Sequence, residues 1–206
     1  MASQQIAMPT MPEPEVVPAH KRAGRVVGLF VTGDRSDLGF QTGTATELQL
    51  ALDGIAGSRH QGWTMKADAR VPYLPRGTPM RATRAVSIVS HEDMHDAAVR
   101  LGIPDLDPRW VGANIVLEGI ERLSFLPRGT RLFFAGGTIL TVEAQNAPCR
   151  FAGAAIASHT DRKDIELEFP KVAQRLRGVV ASVEHPGTIA ATGVVTARIP
   201  EQWLYR

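Results

Sequence analysis

The sequence predicts a mainly β protein with peripheral short helices, an α+β arrangement in which the strands close into a β-barrel. Three observations lead to this prediction. Short runs of β-branched and apolar residues recur along the chain, separated by turns rich in glycine and proline. The sequence pattern predicts about eight such strands and two short helices, with no internal repeat and no βαβ alternation. Closing short antiparallel strands into a barrel leaves the fewest unpaired strand edges.

The first predicted strands lie in the first quarter of the chain. Residues 24–32 (GRVVGLFVT) are apolar and β-branched, and residues 44–52 alternate leucines with polar residues, so that the leucines share one face. A glycine-containing turn follows at residues 54–62. The next segment, residues 63–80, carries three prolines and is expected to cross the surface as an irregular loop.

A helix is predicted after the third strand, residues 84–89. Ser90 offers a side-chain cap, and Gly102 favours the left-handed conformation that ends a helix. The helix opens with HEDMH at residues 91–95, which matches the HExxH pattern of zinc metalloproteases. The motif occupies the first turn, where the helix dipole favours acidic residues in any case, and no third ligand follows at a familiar spacing. We therefore expect no zinc.

The second half of the chain is predicted to consist mostly of strands. They are expected at residues 114–117, 131–134, 138–143, 179–184 and 188–199. One short helix is expected at residues 171–177, because Pro170 can open a helix and Gly178 can end it. Residues 23–206 then form a single domain, and residues 1–22, rich in proline and polar residues, are expected to be a disordered tail.

Composition excludes several classes of partner. The 206 residues include 23 basic and 21 acidic residues, a near balance that does not predict a nucleic-acid partner. No apolar run is long enough to cross a bilayer, so no membrane partner is expected. A single cysteine cannot form an intramolecular disulfide, and we expect a cytoplasmic location.

Cys149, the only cysteine, is the main candidate for chemistry. Pro148 stiffens the turn after the strand predicted at residues 138–143 and presents the thiol from its end. Arg150 follows directly, and a neighbouring cation favours the thiolate, which attacks electrophiles and binds metals. The alternative is that Cys149 is a small buried apolar residue with no chemical role.

Basic residues in two loops are candidates for binding an anion. The glycines of the turn at residues 54–62 allow backbone N–H groups to approach an anion, and Arg59 and His60 add positive charge and a titratable donor. The alternative is an ordinary glycine loop with solvated side chains. Lys66, Arg70 and Arg76 of the following segment are expected to be solvated, although loop cations can also line an anion site.

Five segments, taken in order, resemble the MOSC domain family, which is named for the C-terminal part of molybdenum cofactor sulfurase. They are GIAGSRHQG at residues 54–62, RAVSIVSHEDMHDAAVRLG at 84–102, VGANIVLEGI at 111–120, the NAPC turn that ends at Cys149, and LRGVVASVEHPG at 176–187. Independent short matches rarely align in order along most of a chain. The resemblance implies a β-barrel with peripheral helices, in agreement with the strand pattern.

The resemblance also implies a site. Cys149 matches the family cysteine, which carries sulfur or ligates the molybdenum of a pterin cofactor, the molybdenum cofactor (molybdopterin). Arg59 and His60 fall where the family places a basic pair, and Asn114 falls on its characteristic asparagine. With Arg150, these residues are expected to hold the anionic cofactor. The family is associated with pyridoxal phosphate only through a fused desulfurase domain, and no pyridoxal-binding lysine context is evident in this chain.

Three functions of different class remain open. The protein binds the molybdenum cofactor or carries a persulfide on Cys149, with a cysteine desulfurase-like protein as sulfur donor. Alternatively, it is a stand-alone molybdoenzyme that reduces N-hydroxylated compounds with Cys149 as the Mo ligand. Its redox partner would then be a separate protein, because one cysteine cannot hold an iron–sulfur cluster. In the third case the barrel is structural and the cysteine inert.

Overall fold

The computed structural model describes residues 14–32 and 42–204. Its strands are β1 Val16–Val17, β2 His20–Val31, β3 Gly43–Thr44, β4 Glu47–Ala51, β5 Gly54–Ile55, β6 Thr64–Lys66, β7 Pro79–Arg81, β8 Val86–Ser90, β9 Ile115–Glu118, β10 Arg131–Phe134, β11 Ile139–Gln145, β12 Val179–His185, β13 Gly187–Ala190, β14 Val194–Ile199 and β15 Gln202–Trp203. Its helices are α1 His91–Leu101, α2 Arg150–Thr160 and α3 Ile165–Val172.

Seven strands close into a β-barrel. Around its circumference the order is β2, β14, β10, β11, β12, β8 and β9, and β9 pairs with β2 to close the ring. Every pairing in this ring is antiparallel except that of β8 with β9, which is parallel. Parallel neighbours require a crossover, and α1 provides it between these two strands. The predicted fold class, a mainly β barrel with peripheral short helices, is confirmed.

The apolar residues form two clusters. The first fills the barrel with inward side chains of its strands, among them Ile88, Leu117, Leu132 and Leu140, all fully buried. The second lies outside the barrel, where α1, α2 and α3 pack against the wall through residues such as Phe169. The helices therefore cover one side of the barrel and fix the position of α2 relative to it.

The caps of α1 lie where the sequence predicts them. Ser90 accepts a hydrogen bond from the backbone N–H of Asp93 at 3.0 Å, and Gly102 ends the helix at φ 66°. The acidic residues of the HEDMH motif have structural contacts: the Asp93 carboxylate accepts hydrogen bonds from Ser124 N and Oγ, and Glu92 accepts one from Gly119 N. The two histidines of the motif are exposed.

Part of the predicted N-terminal tail belongs to the fold, so the predicted boundary at residue 22 is wrong. β2 begins at His20, and its first residues pair with β14, from His20 opposite Ile199 to Ala23 opposite Thr196. Val16–Val17 pair with β15. The sequence pattern did not predict these strands, because most of their residues are exposed to solvent and several are polar or charged. Residues 1–13 of the predicted tail lie outside the described residues.

The helices after Cys149 differ from the prediction at residues 171–177. Residues 150–160 form α2, and α3 ends at Val172 with Pro170 inside it. Pro170 lacks the N–H that would bond to the Glu166 carbonyl. That carbonyl faces Gly153 of α2, where an added Cβ would lie only 2.6 Å from the oxygen. Pro170 therefore lies inside α3, at the contact with α2, and does not begin a helix as the sequence predicts.

Within residues 14–32 and 42–204, none of the helices has the length and apolar character needed to cross a membrane.

Candidate functional site

A basic cavity of about 420 Å³ opens beside the barrel wall. Its positively charged or titratable lining residues are Arg59, His60, Lys66, Arg70, Arg84 and Arg177. Asp68 is the one carboxylate among the described residues that line it. The wall also includes polar side chains from the ends of the strands, such as Asn114 and Asn146. An excess of cations over carboxylates makes this cavity, which we call the basic cavity, suited to an anionic ligand.

Arg59 and His60 reach the basic cavity from the turn between β5 and β6. Gly57 has φ 72°, a left-handed conformation that favours glycine and lets the turn form. Ser58 Oγ accepts the His60 backbone N–H at 3.3 Å, and Arg59 Nε donates to His60 Nε2 at 3.3 Å. Both side chains therefore line the basic cavity, and their role in binding an anion stays a prediction.

The charge around His60 opposes its protonation. Loss of hydration lowers the pKa of His60 below its ordinary value, and three nearby guanidinium groups lower the pKa further: those of Arg59, Arg70 and Arg84. A neutral His60 leaves the positive charge of the cavity to the arginines. A bound anion would offset that charge and favour the protonated imidazole.

Asp68, Arg70 and Arg84 form an ion-pair group in the cavity wall. Arg70 Nη2 lies 2.5 Å from Asp68 Oδ2, and Arg84 Nη1 lies 3.3 Å from the same oxygen. The hydrogen bond from Arg70 holds the pKa of Asp68 well below its usual range, so the carboxylate stays charged. Arg84 Nη2 is buried and has no hydrogen-bond partner in the described ranges. A buried guanidinium N–H of this kind can donate to a ligand.

Arg177 connects the basic cavity to the segment before Cys149. The side chain is buried and donates from Nη1 to Asn146 Oδ1 at 2.6 Å and to Ala147 O at 2.9 Å, and from Nη2 to Val111 O at 2.9 Å. Burial lowers the pKa of Arg177 to about 10, and the negative charge of a Cys149 thiolate acts in the opposite direction. The hydrogen bond to Ala147 O holds Arg177 against the segment that ends at Cys149.

Cys149 is the N-cap residue of α2. Its backbone is extended, its carbonyl accepts the Gly153 N–H at 3.1 Å, and its side chain makes no capping hydrogen bond. The thiol is partly exposed and packs at the edge of the helical cluster. Cys149 is not among the described residues that line the basic cavity. The segment that leads to it, Asn146 and Ala147, is held by Arg177, and Asn146 and Arg177 both line the cavity.

The other predicted site residues separate into two groups. Asn114 lines the basic cavity, but its side chain also joins strands: Oδ1 accepts Ser87 N–H at 2.9 Å and Nδ2 donates to Phe30 O at 3.2 Å. Arg150 points elsewhere, with Nη2 2.6 Å from Glu166 Oε1 of α3, and is not among the described lining residues. The structure therefore brings Arg59, His60 and Asn114 together and leaves Arg150 outside.

Sequence reasoning missed the residues that contribute most to the cavity. Arg70 was expected in a solvated loop, and Arg84 was assigned only to a strand. Arg177 carried no signal of its own, because an arginine before a glycine at a strand start is common on surfaces. Asn146 preceded Cys149 in a turn and was not singled out, although its Nδ2 donates to Ser87 Oγ at 3.0 Å and fixes the turn to β8.

A second cavity adjoins the basic cavity, and a third adjoins the second. A cavity of about 450 Å³ shares Arg70, Arg84 and Asn146 with it. A third, of about 420 Å³, shares Arg128 and Glu143 with the second and opens on the outer barrel surface. In the part of the chain that the structure describes, no group of three or more His, Cys, Asp or Glu residues could hold a metal ion.

Comparisons with known proteins agree on one family. A family model, described as the MOSC domain, matches residues 56–196. The chain is 35% identical over 170 residues to YuaD of Bacillus subtilis (strain 168), covering 82% of this chain and 87% of that protein; the name of YuaD proposes a role in metal-sulfur cluster biosynthesis. The crystal structure of the YuaD protein from Bacillus subtilis superposes with a TM-score of 0.84 at 32% identity, over 88% of this chain and 98% of that one.

A more distant structure agrees in fold alone. The crystal structure of YiiM from Geobacillus stearothermophilus matches with a TM-score of 0.53 at 13% identity, over 89% of this chain and 76% of that one. The matched residues 56–196 contain the turn with Arg59 and His60, the crossover with Asn114, and Cys149. The family expected from the five sequence segments is therefore confirmed, and the chain belongs to the MOSC domain family.

Proposed function

We propose that the protein binds an anionic ligand in the basic cavity and carries sulfur as a persulfide on Cys149 for delivery to a metal-sulfur or molybdopterin centre. The observation that carries this proposal is Arg177, which lines the basic cavity and at the same time holds the segment that ends at Cys149. The name of the relative YuaD, which refers to metal-sulfur cluster biosynthesis, supports the same class of function.

The thiolate of Cys149 has two sources of stabilisation in this account. It lies at the N-terminus of α2, where the helix dipole favours negative charge. Arg177, buried beside it, interacts with the thiolate charge. Arg150, in contrast, is paired with Glu166 and contributes less than its position in the sequence suggests. The thiolate is the form that attacks a sulfur donor.

Sulfur transfer to Cys149 then needs no external oxidant or reductant. The Cys149 thiolate attacks the outer sulfur of a donor persulfide, a new S–S bond forms at Cys149, and the donor S–S bond breaks. The donor leaves as a thiolate, which takes up the proton that the Cys149 thiol gave up when the attacking thiolate formed. The donor class we infer is a cysteine desulfurase-like protein that presents a persulfide. The partial exposure of Cys149 permits this approach.

The cations of the basic cavity also suit the phosphate of the molybdenum cofactor. Arg59, Lys66, Arg84 and Arg177 offer charge to the phosphate of a pterin cofactor, and the unpartnered Arg84 Nη2 is a buried donor that such a group would satisfy. Cys149 is the residue that would ligate molybdenum. The cofactor, when bound, supplies oxygen- or sulfur-atom transfer at the metal. The protein's own residues orient it and neutralise its negative charge.

A mass and metal analysis of the wild-type protein, expressed with molybdate supplied, tests the proposal. Because Cys149 is the only cysteine, any added sulfur atom on a thiol reports on this residue alone. A persulfide formed on incubation with a desulfurase and cysteine, and absent in Cys149→Ser, is the expected result. Stoichiometric Mo with reduction of an N-hydroxylated compound would favour the molybdoenzyme instead. If neither a persulfide nor Mo is detected, both functions are contradicted and Cys149 has only a structural role.

A further inference from the structure

The outer surface of the barrel carries a row of basic side chains that the proposed site does not use. The strand register places Lys21 of β2 directly opposite Arg198 of β14, and Arg198 directly opposite Arg131 of β10. All three are exposed. The neighbouring residues Ala197 and Leu132 are fully buried in the barrel, which confirms that the row faces outward.

This row of cations destabilises the sheet. Like charges at directly opposed positions of neighbouring strands repel each other. Arg131 is partly neutralised by Glu184, with Nε 2.8 Å from Oε1. Arg198 lies over the ring of Phe133, 4.2 Å from its centroid, and within the described ranges neither Arg198 nor Lys21 forms an ion pair with a carboxylate. A row of cations that the fold leaves uncompensated can gain stability from an external negative charge.

Two more arginines extend the row around the barrel. Arg81 and Arg128 both contact the buried carboxylate of Glu143, at 2.6 and 3.2 Å, and their side chains are 63% and 72% exposed. The third cavity joins them to Thr141, the cross-strand neighbour of Arg131. We name these five residues the basic face: Lys21, Arg81, Arg128, Arg131 and Arg198. The five basic residues carry five positive charges, and Glu143 and Glu184 carry two negative charges. The basic face therefore has a net charge of +3, larger than the +2 of the whole chain.

We propose that the basic face docks an acidic helix of a partner protein. Neighbouring strands lie about 4.8 Å apart, so the row from Lys21 to Arg131 spans about 10 Å. Carboxylates at positions i, i+4 and i+7 of a helix repeat at about one helical turn, roughly 5.4 Å, along one side. Three acidic residues on one helix face therefore match the three cations of the row.

A protein helix fits this surface better than a nucleic acid. Glu184 lies inside the basic face and is partly exposed, so it would repel a continuous phosphate backbone. A lysine or arginine of a protein partner can pair with the same carboxylate. The face also adjoins the cavities that lead to Arg84 and Asn146, so a docked partner would sit beside the proposed site. Docking at the basic face does not depend on the chemistry of Cys149.

The test measures binding of the full chain to labelled 15-residue helical peptides by fluorescence anisotropy at low salt. One peptide carries glutamates at i, i+4 and i+7, and a scrambled peptide has the same composition. We expect the patterned peptide to bind at least about fivefold more tightly than the scrambled one, and Arg198→Glu to weaken binding about tenfold. Lys163→Glu, the same charge change on the exposed turn between α2 and α3, is the matched control and should leave binding unchanged.

A second measurement separates docking from loss of the fold. Arg198→Glu removes two like-charge oppositions, so its melting temperature should equal or exceed that of the wild type while binding is weakened. The inference is overturned if the patterned peptide does not bind, if both peptides bind equally, or if both charge reversals act alike. It is also overturned if a DNA duplex binds more tightly than the peptide and loses affinity in Arg198→Glu.

Discussion

Arg177 is a buried cation whose hydrogen bonds connect its own segment to two other parts of the chain. It donates to Asn146 and Ala147, which precede Cys149, and to Val111, which lies between α1 and β9. A guanidinium group at this position fixes the geometry of the turn and places a positive charge close to the thiol. The same residue lines the basic cavity, so it couples the two parts of the proposed site.

Replacing Arg177 should affect both stability and the thiol. Arg177→Ala leaves the buried acceptors Asn146 Oδ1 and Val111 O without their donor, and we expect the free energy of unfolding to fall by about 3 kcal/mol. Urea denaturation measures this loss. In the same variant, alkylation of Cys149 at neutral pH should slow, because a positive charge beside the thiolate is lost. Arg76→Ala, an exposed residue of the 63–80 segment, should change neither.

We expect His60 to make anion binding depend on pH. Its lowered pKa means that the neutral imidazole favours the folded protein above the ordinary value of 6.5, and that this contribution is lost as the pH falls below it. A bound anion offsets the repulsion from the arginines and raises the pKa of His60 again. Anion binding is therefore coupled to proton uptake, and affinity must increase as the pH falls.

Calorimetry with sulfate, whose charge is constant over the range, measures this dependence. We expect the affinity for sulfate to increase severalfold as the pH falls from about 7.5 to 5.5. A rise of one unit in the pKa of His60 on anion binding would change this affinity by at most about tenfold. His60→Gln keeps a neutral donor and should remove the dependence. An unchanged pH profile in this variant would show that another group takes up the proton.

At the scale of elements, sequence patterns predicted strands better than helices. Residues 131–134 form β10 as predicted, and α1 has the predicted N-cap and C-terminal glycine, because these signals act locally. α2 was missed since its alanine- and glycine-rich sequence shows little amphipathic pattern; its helical state depends on packing against α3. That packing also determines where Cys149 lies, as the N-cap of α2.

Gly153→Ala tests how far α2 controls the thiol. The new Cβ would lie 2.6 Å from the Glu166 carbonyl oxygen, so α2 and α3 must separate. Overpacking of this kind typically costs about 1–3 kcal/mol, and the displaced N-terminus of α2 should change the alkylation rate of Cys149. Gly43→Ala is the control, because its Cβ would meet only ordinary contact at 3.9 Å. Equal stability of both variants would show that the helix contact is not tight.

At the scale of the whole molecule, closure of the barrel assembles the basic cavity. Arg59, Arg84, Asn114 and Arg177 are distant in sequence, and the pairings of β8 with β9 and with β12 bring their segments together. Local patterns could indicate a barrel and a basic turn, but not which strand ends share a wall. The family segments include the turn with Arg59 and the segment with Asn114, whereas the places of Arg70 and Arg177 in the cavity wall required the three-dimensional arrangement.

We propose that an anion in the basic cavity and the thiol of Cys149 act on each other through Arg177. The rate of Cys149 alkylation, measured with increasing sulfate at constant ionic strength, tests it most directly. We expect sulfate to slow alkylation in the wild type, because the bound anion offsets the positive charge that stabilises the thiolate. Arg59→Ala should remove most of this effect, and Arg76→Ala should retain it. An alkylation rate that does not respond to sulfate, or that responds equally in both variants, would contradict the account.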